Sequence, residues 1–384
     1  MSPLIIEPEG ASCSPEYRYA PGALRNSPTT EAHTAYVIGG LYGNVFALRE
    51  ILRMQEAEAA LGQPVALVFN GDHNWFDVDS DSFHEINTTV LRHAVICGNV
   101  ECSIAAPEDV GCGCDYPDYV NPQVVDWSNE IMTQLRHTAA NFPDIVRQLG
   151  ALPMTRILSI GGQRIGIVHG DAESLSGWSF AAECLSPVAE SCSGDMPPGH
   201  LTPQHDIETF FREADVLAFA SSHTCLPHAR DFSVDGTQRL IINNGAAGMA
   251  NFAGTTHGVI TRISVDPTPP PNSLYGVTLN GVRFDALPVH FDAPPWIEHF
   301  VSVWPSDTPA NRSYLDRIKH GPNYTLEQAV SGNVSLASVT TPKTQSPRYR
   351  RQCRSIHRFE RVTDPTPANR WLVAFSNCSD PSRR

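Results

Sequence analysis

The stretch Val65-Ala-Leu-Val-Phe-Asn-Gly-Asp72-His73 decides how this chain is read. Val65 to Phe69 is a continuous apolar run, the pattern of a strand buried on both faces. It breaks into Gly71-Asp72-His73, a short turn that leaves a carboxylate at the strand's carboxyl end. Upstream, Ala35-Tyr-Val-Ile38 is a second short β-rich run, entering Gly39-Gly40. Between them, Val45 to about Leu61 has helical periodicity, with Phe46, Ile51, Leu52 and Ala59 among its apolar positions and Gly62-Gln-Pro64 as the stop. Strand, helix, strand predicts a βαβ unit and an α/β class of fold.

The same grammar recurs along the chain. Buried-strand candidates are Ala94–Cys97, Arg164–Val168, Val216–Phe219, Leu240–Ile242 and Val259–Ile263. All but the last run into polar or glycine-rich turns: Gly98-Asn99-Val100-Glu101, His169-Gly170-Asp171, Ser221-Ser222-His223-Thr224 and Asn243-Asn244-Gly245. Ligands of open α/β sheets bind outside the carboxyl ends of the strands, so these turns are expected to converge on one rim. Carboxylate, amide oxygen and imidazole are donors for divalent metals, which makes Asp72, Asn99, His169 and His223 a candidate ligand set. Taken singly, each has a plainer role, as a helix cap, a turn residue or a hydrogen-bonded histidine. Four such residues at equivalent positions point to a shared site.

The order Gly-Asn, Gly-Asp, Gly-Asn-x-Glu, His-Gly and x-His-Thr-x-x-Pro resembles the calcineurin-like metallophosphoesterases, most of all the compact bacterial branch with a Gly-Asn-x-Asp/Glu motif. The resemblance runs from about Ala35 to Ile263. It implies a two-sheet αββα sandwich, divalent metal (Mn, Fe, Zn or Ni) and hydrolysis of a phosphomonoester or phosphodiester by metal-activated water. Asp72 would be the bridging ligand, and Asn99, His169 and His223 would complete one metal site.

Departures from the pattern fall on the other site. The family's Asp-x-His-Gly-Asn reads Gly40-Leu41-Tyr42-Gly43-Asn44, and its closing Gly-His-x-His reads Ser222-His223-Thr224-Cys225. Both opening ligands are absent, leaving Cys225 as a thiolate candidate there. Val100 stands where many members carry an acid histidine. Tyr42, Asn44 and Asn99 are candidate substrate contacts, Tyr42 alternatively being a ring that covers the strand end. Tyr42 and His73 are the catalytic candidates; Asp77 and Asp79 read as loop residues. The expected function is a metal-dependent phosphoesterase with one well-formed site. The alternative is a catalytically impaired relative that binds a phosphorylated ligand or a protein partner.

Around this core, residues 1–30 read as an irregular arm, 31–335 as the metallophosphoesterase-like domain with insertions near 102–154 and 172–205, and 336–384 as a low-order tail. A helix is expected over about Val124–Ala140, and Gly276–Phe300 reads as a hairpin followed by a loop. The net charge of −14 hides a basic tail, since Lys343 and nine arginines face only Glu360, Asp364 and Asp380 beyond residue 342. The acidic body argues against nucleic acid as the main partner, the tail being its one candidate contact. No apolar run is long enough for a membrane span. Without a secretory signal the expected compartment is the cytoplasm, where the ten cysteines stay reduced. The pair Cys112-Gly-Cys114 has no second pair to make a zinc site.

Overall fold

The computed structural model describes residues 17–185 and 201–337. The Met196–Gly199 turn, Cys192 and the basic tail from residue 338 onward lie outside the described residues. Two mixed sheets carry the fold. The seven-stranded sheet is ordered β13 (Ser335–Leu336), β11 (Tyr275–Leu279), β12 (Val282–Val289), β10 (Gly258–Ser264), β2 (Thr34–Ile38), β3 (Val65–Asn70), β4 (Ala94–Ile96). The six-stranded sheet is ordered β1 (Thr29–Glu31), β5 (Thr155–Ile160), β6 (Gln163–Val168), β7 (Ala218–Ser221), β9 (Thr237–Asn243), β8 (His228–Val234).

The two sheets pack face to face and helices cover their outer faces. Alternation along each strand sorts the side chains. Val37, Val68, Val259 and Ile263 point inward from one sheet to meet Leu158, Ile165, Ile167 and Ile242 from the other. Tyr36, Ile38, Leu67 and Phe69 point outward, beneath α1 (Val45–Ala59), α2 (Ser80–Val90), α4 (Pro122–Ala139), α5 (Pro143–Leu149), α7 (Ala293–Val303) and α8 (Pro309–His320). Phe219 and Ile241 point outward from the other sheet onto Phe210 and Phe211 of α6 (Gln204–Ala214). A strand covered on both faces has no reason to alternate polar and apolar residues, which is why Val65–Phe69 is apolar throughout.

Several expectations are corrected. Within the arm expected over 1–30, residues 17–30 are built into the sandwich: Pro21–Asn26 is a 3-10 turn whose Leu24 is buried under α6, and β1 pairs in parallel with β5. The loop expected after the 276–289 hairpin is α7, started by Asp292-Ala-Pro-Pro, with Pro at its first turn where no backbone donor is needed. The strand placed at Val216–Phe219 begins at Ala218. Strands β5 and β8 went unrecognised in the sequence. Among the described residues no helix is long and apolar enough to cross a membrane.

Candidate metal centre

The parallel pairing of β2 with β3 and β3 with β4, and of β6 with β7 and β7 with β9, brings the carboxyl ends of these strands together. Asp72 follows β3, Asn99 opens the short helix α3 (Asn99–Ala105), His169 follows β6 and His223 follows β7. One atom lies at the centre of the group. His169 Nε2 is 3.3 Å from Asp72 Oδ2, 3.2 Å from Asn99 Oδ1 and 3.3 Å from His223 Nδ1. Asp72, His169 and His223 form the only metal-compatible cluster of His, Cys, Asp or Glu among the described residues.

Asn99, His169 and His223 face inward because the other polar atom of each is engaged elsewhere. His169 Nδ1–H donates to the Asn70 carbonyl at 2.8 Å, which leaves Nε2 as the lone-pair nitrogen. His223 Nε2–H donates to the Cys114 carbonyl at 2.9 Å, which leaves Nδ1. Asn99 Nδ2 donates to the Cys112 carbonyl at 2.8 Å, so Oδ1 points at the centre. Outer partners of this kind fix tautomer and orientation around bound metals. With the carboxylate of Asp72, four acceptors converge and none brings a donor. A cation satisfies all four at once. A proton on His169 Nε2 is the lesser alternative. Burial disfavours the imidazolium at His169, yet Asp72 overrides it and raises the pKa. The same contact lowers that of Asp72 against the cost of its burial. His223 is pushed down to about 4 by burial and by His169, so it stays neutral and ready to ligate.

Asp72 adopts a left-handed backbone, φ 52°, which costs an ordinary residue energy unless its surroundings hold it. Glu101 does the holding. Its fully buried carboxylate accepts from the backbone N–H of Asp72 at 2.8 Å, of Gly98 at 2.9 Å and of Asn74 at 3.2 Å. Gly98 is required by close approach, since a Cβ there would lie 2.2 Å from Asp72 Oδ1. Sequence reading gave Glu101 no role. Its place three residues after Gly98 is the spacing of a capping box, a signal that was present.

Other candidates sit elsewhere. Asn44 caps α1, accepting from the Phe46 and Ala47 N–H groups and donating to the Gly248 carbonyl, so its amide is engaged in the fold. His73 is buried beside Asn87 and Glu101, outside the metal-compatible cluster. Tyr42 is the ring that covers the strand end: a Cβ on Gly40 would lie 2.1 Å from its Cζ, so the ring fills the space an aspartate at position 40 would need. Its hydroxyl meets Cys225 Sγ at 2.7 Å, and that thiol donates to the His223 carbonyl at 3.2 Å. Cys225 is thus tied to Tyr42 and stands apart from the metal-compatible cluster. Cys112-Gly-Cys114, which offers no zinc site, acts through its carbonyls as a strap over the centre. Trp178 Nε1–H also donates to the Cys114 carbonyl, and its ring stands edge-on to His223.

No family model and no curated protein matches the chain. Solved structures similar to it include metallophosphoesterases and phosphatases. A hypothetical protein from Pyrococcus horikoshii OT3 is 16% identical over 77% of this chain and 100% of its own, at a TM-score of 0.47. A metallophosphoesterase from Sphaerobacter thermophilus is 16% identical over 76% of this chain and 100% of its own, at 0.44. A protein serine/threonine phosphatase from Saccharomyces cerevisiae is 15% identical over 70% and 86%, at 0.34. At such scores the chemistry has to be read from this chain's own residues.

Proposed function

We propose that this protein is a metal-dependent phosphoesterase whose centre takes one divalent cation, held by Asp72, Asn99, His169 and His223. The observation that carries the reading is the convergence of three acceptor atoms on His169 Nε2, with the donor groups of His169, His223 and Asn99 all committed elsewhere. Two imidazoles with two oxygen donors suit Mn, Fe, Zn or Ni. Such an ion would polarise a phosphoryl oxygen and lower the pKa of water to near neutrality. A single ion is favoured because the Tyr42 ring fills the neighbouring position. The protein's own part is to keep both histidines in the ligating tautomer, to hold Asp72 in place through Glu101 and to exclude bulk water with the strap. The substrate would be a small phosphoester, with no membrane partner.

A second reading is favoured by one observation. Asp72, His169 and His223 are at most 7% exposed, beneath Cys112–Cys114 and Trp178. A phosphoester reaches the ion only when the strap lifts, and a strap that stays down gives a metal-holding protein without turnover. Metal analysis of the purified protein separates the cases, together with an aryl-phosphate assay across Mn, Fe, Zn, Ni and Mg. About one equivalent with turnover lost in Asp72→Asn supports the enzyme. One equivalent without turnover supports the second reading, and a metal-free protein that binds none of these ions sinks both.

A further inference from the structure

Helix α8 lies beyond the motif-bearing part of the chain, yet it reaches the corner beside the metal centre. Arg317 is only 4% exposed, and among the described residues it makes no ion pair with a carboxylate. Its Nη2 donates to the Cys225 carbonyl at 3.0 Å and its Nε to the Ala250 carbonyl at 3.2 Å. These bonds fix the guanidinium against the Tyr42–Cys225 pair, on the side where Tyr42 excludes a second ion. Arg262, equally buried, has Glu58 at 2.8 Å and Asp285 within 4 Å for company. A buried guanidinium with neutral partners alone carries a desolvation cost that an anion would offset.

One turn earlier on the same helix, Tyr314 packs its ring edge-on against Phe76, with centroids 5.0 Å apart, and Phe76 in turn packs on Tyr42. Residues three apart share a helix face, so Tyr314 and Arg317 address one corner. Electrostatics agrees with this placement. Burial raises the pKa of Tyr42, Cys225 and Tyr314, and Arg317 opposes the rise in all three.

Building on the phosphoesterase reading, we propose that Arg317, assisted by the Tyr314 hydroxyl, is the oxyanion-holding group of this site, taking the charge-neutralising place that a second metal ion would fill. The ligand class is a tetrahedral oxyanion such as a phosphoryl group. A guanidinium suits it because its fork of donors matches two oxygens of a phosphate.

The test is calorimetric titration of orthophosphate and of tungstate into the full-length protein, with and without Mn or Zn, alongside titration of the metal alone. Arg317→Met is expected to weaken tungstate at least tenfold and to leave metal affinity within twofold. Arg317→Lys is expected to fall between it and the parent. Because Arg317 also brackets two backbone carbonyls, circular dichroism and thermal melting accompany each variant. Tyr314→Phe removes only a hydroxyl and is expected to weaken tungstate about threefold at unchanged melting temperature. Folded Arg317→Met with parental tungstate affinity overturns the proposal, as does a metal-loaded parent that binds neither anion at millimolar concentration. Arg317-dependent anion binding in a protein that takes up no metal would support the oxyanion site and defeat the metal reading alone.

Discussion

Two corners of one rim, only a few residues apart in the turns after β2, β3 and β7, have opposite chemistry. In the corner of Asp72, Asn99, His169 and His223, four acceptors face each other and every donor is used outside the group. In the corner of Gly40, Tyr42 and Cys225, donors and acceptors satisfy one another: the tyrosine hydroxyl meets the thiol, the thiol meets a carbonyl, and Arg317 meets two more. The first arrangement is one that a cation could complete. The second has its acceptors matched already and offers no place for a cation, only the uncompensated charge of Arg317. Counting unmatched acceptors therefore says more about where an ion belongs than counting the ligand-type residues nearby.

The contrast can be broken most severely at its centre. His169→Ala removes the atom to which the other three point, and metal content is expected to fall from about one equivalent to none by elemental analysis, with the fold retained by circular dichroism. The second corner is challenged by Gly40→Asp, whose Cβ meets the Tyr42 ring at 2.1 Å. Overpacking of this kind costs roughly 1–3 kcal/mol, measurable in urea. Adding Tyr42→His clears the ring, and the double variant is expected to recover stability and bind a second equivalent. A double variant that still binds one would show that more than the ring keeps the ion out.

A subtler change acts on the first corner from behind. Glu101→Gln replaces one acceptor oxygen of the carboxylate that pins the Asp72 turn, and loss of such outer support costs about 10–100-fold in metal affinity. Unchanged affinity would mean that the left-handed turn at Asp72 holds itself.

Two further substitutions separate site from scaffold. Burial raises the Asp77 pKa to about 7 from its ordinary 3.8. The folded state therefore holds this proton more tightly than the unfolded chain. Its contribution is whole below pH 3.8, is lost as pH rises towards 7 at up to roughly 1.4 kcal/mol per pH unit, and is constant above that. Asp77→Asn is expected to be the more stable protein at pH 8 and to lose the advantage by pH 4, measured by urea denaturation at both. Asn44→Ala should cost about 1 kcal/mol as a lost helix cap and leave orthophosphate binding unchanged. Weakened phosphate binding at full stability would restore Asn44 as a substrate contact.

The parts legible in the sequence are those where local pattern and global position agree. Val65–Phe69 announced its strand because both of its faces are covered, and Asp72, Asn99, His169 and His223 stood out because each follows such a strand. Strand β5 was missed because Thr155-Arg-Ile-Leu-Ser-Ile160 mixes buried and half-buried positions. Its hairpin to β6 was nonetheless marked by Gly161-Gly162, both left-handed, a pair typical of two-residue turns. The 17–31 segment looked irregular because a 3-10 turn and a three-residue strand are too short for any period to show. The strap was illegible for a different reason. Its contribution comes from the carbonyls of Cys112 and Cys114, and every residue has a carbonyl. Arg317 was hidden by distance, one arginine among many until α8 sets it beside Cys225.

The place of β10 in the seven-stranded sheet bears on how the protein comes to exist. Strand β2 has β3 on one side, close in sequence, and on the other β10, paired as Thr261 with Val37 and Ile263 with Ala35 across most of the chain. Pairing across such a span is slow, because the loop must close before any contact rewards it. All four candidate ligands leave the ribosome before Gly258 does, while β2 and the turn it supports still present a bare edge. The rim turn after β2 is therefore supported on both sides only once the chain has been made as far as β10.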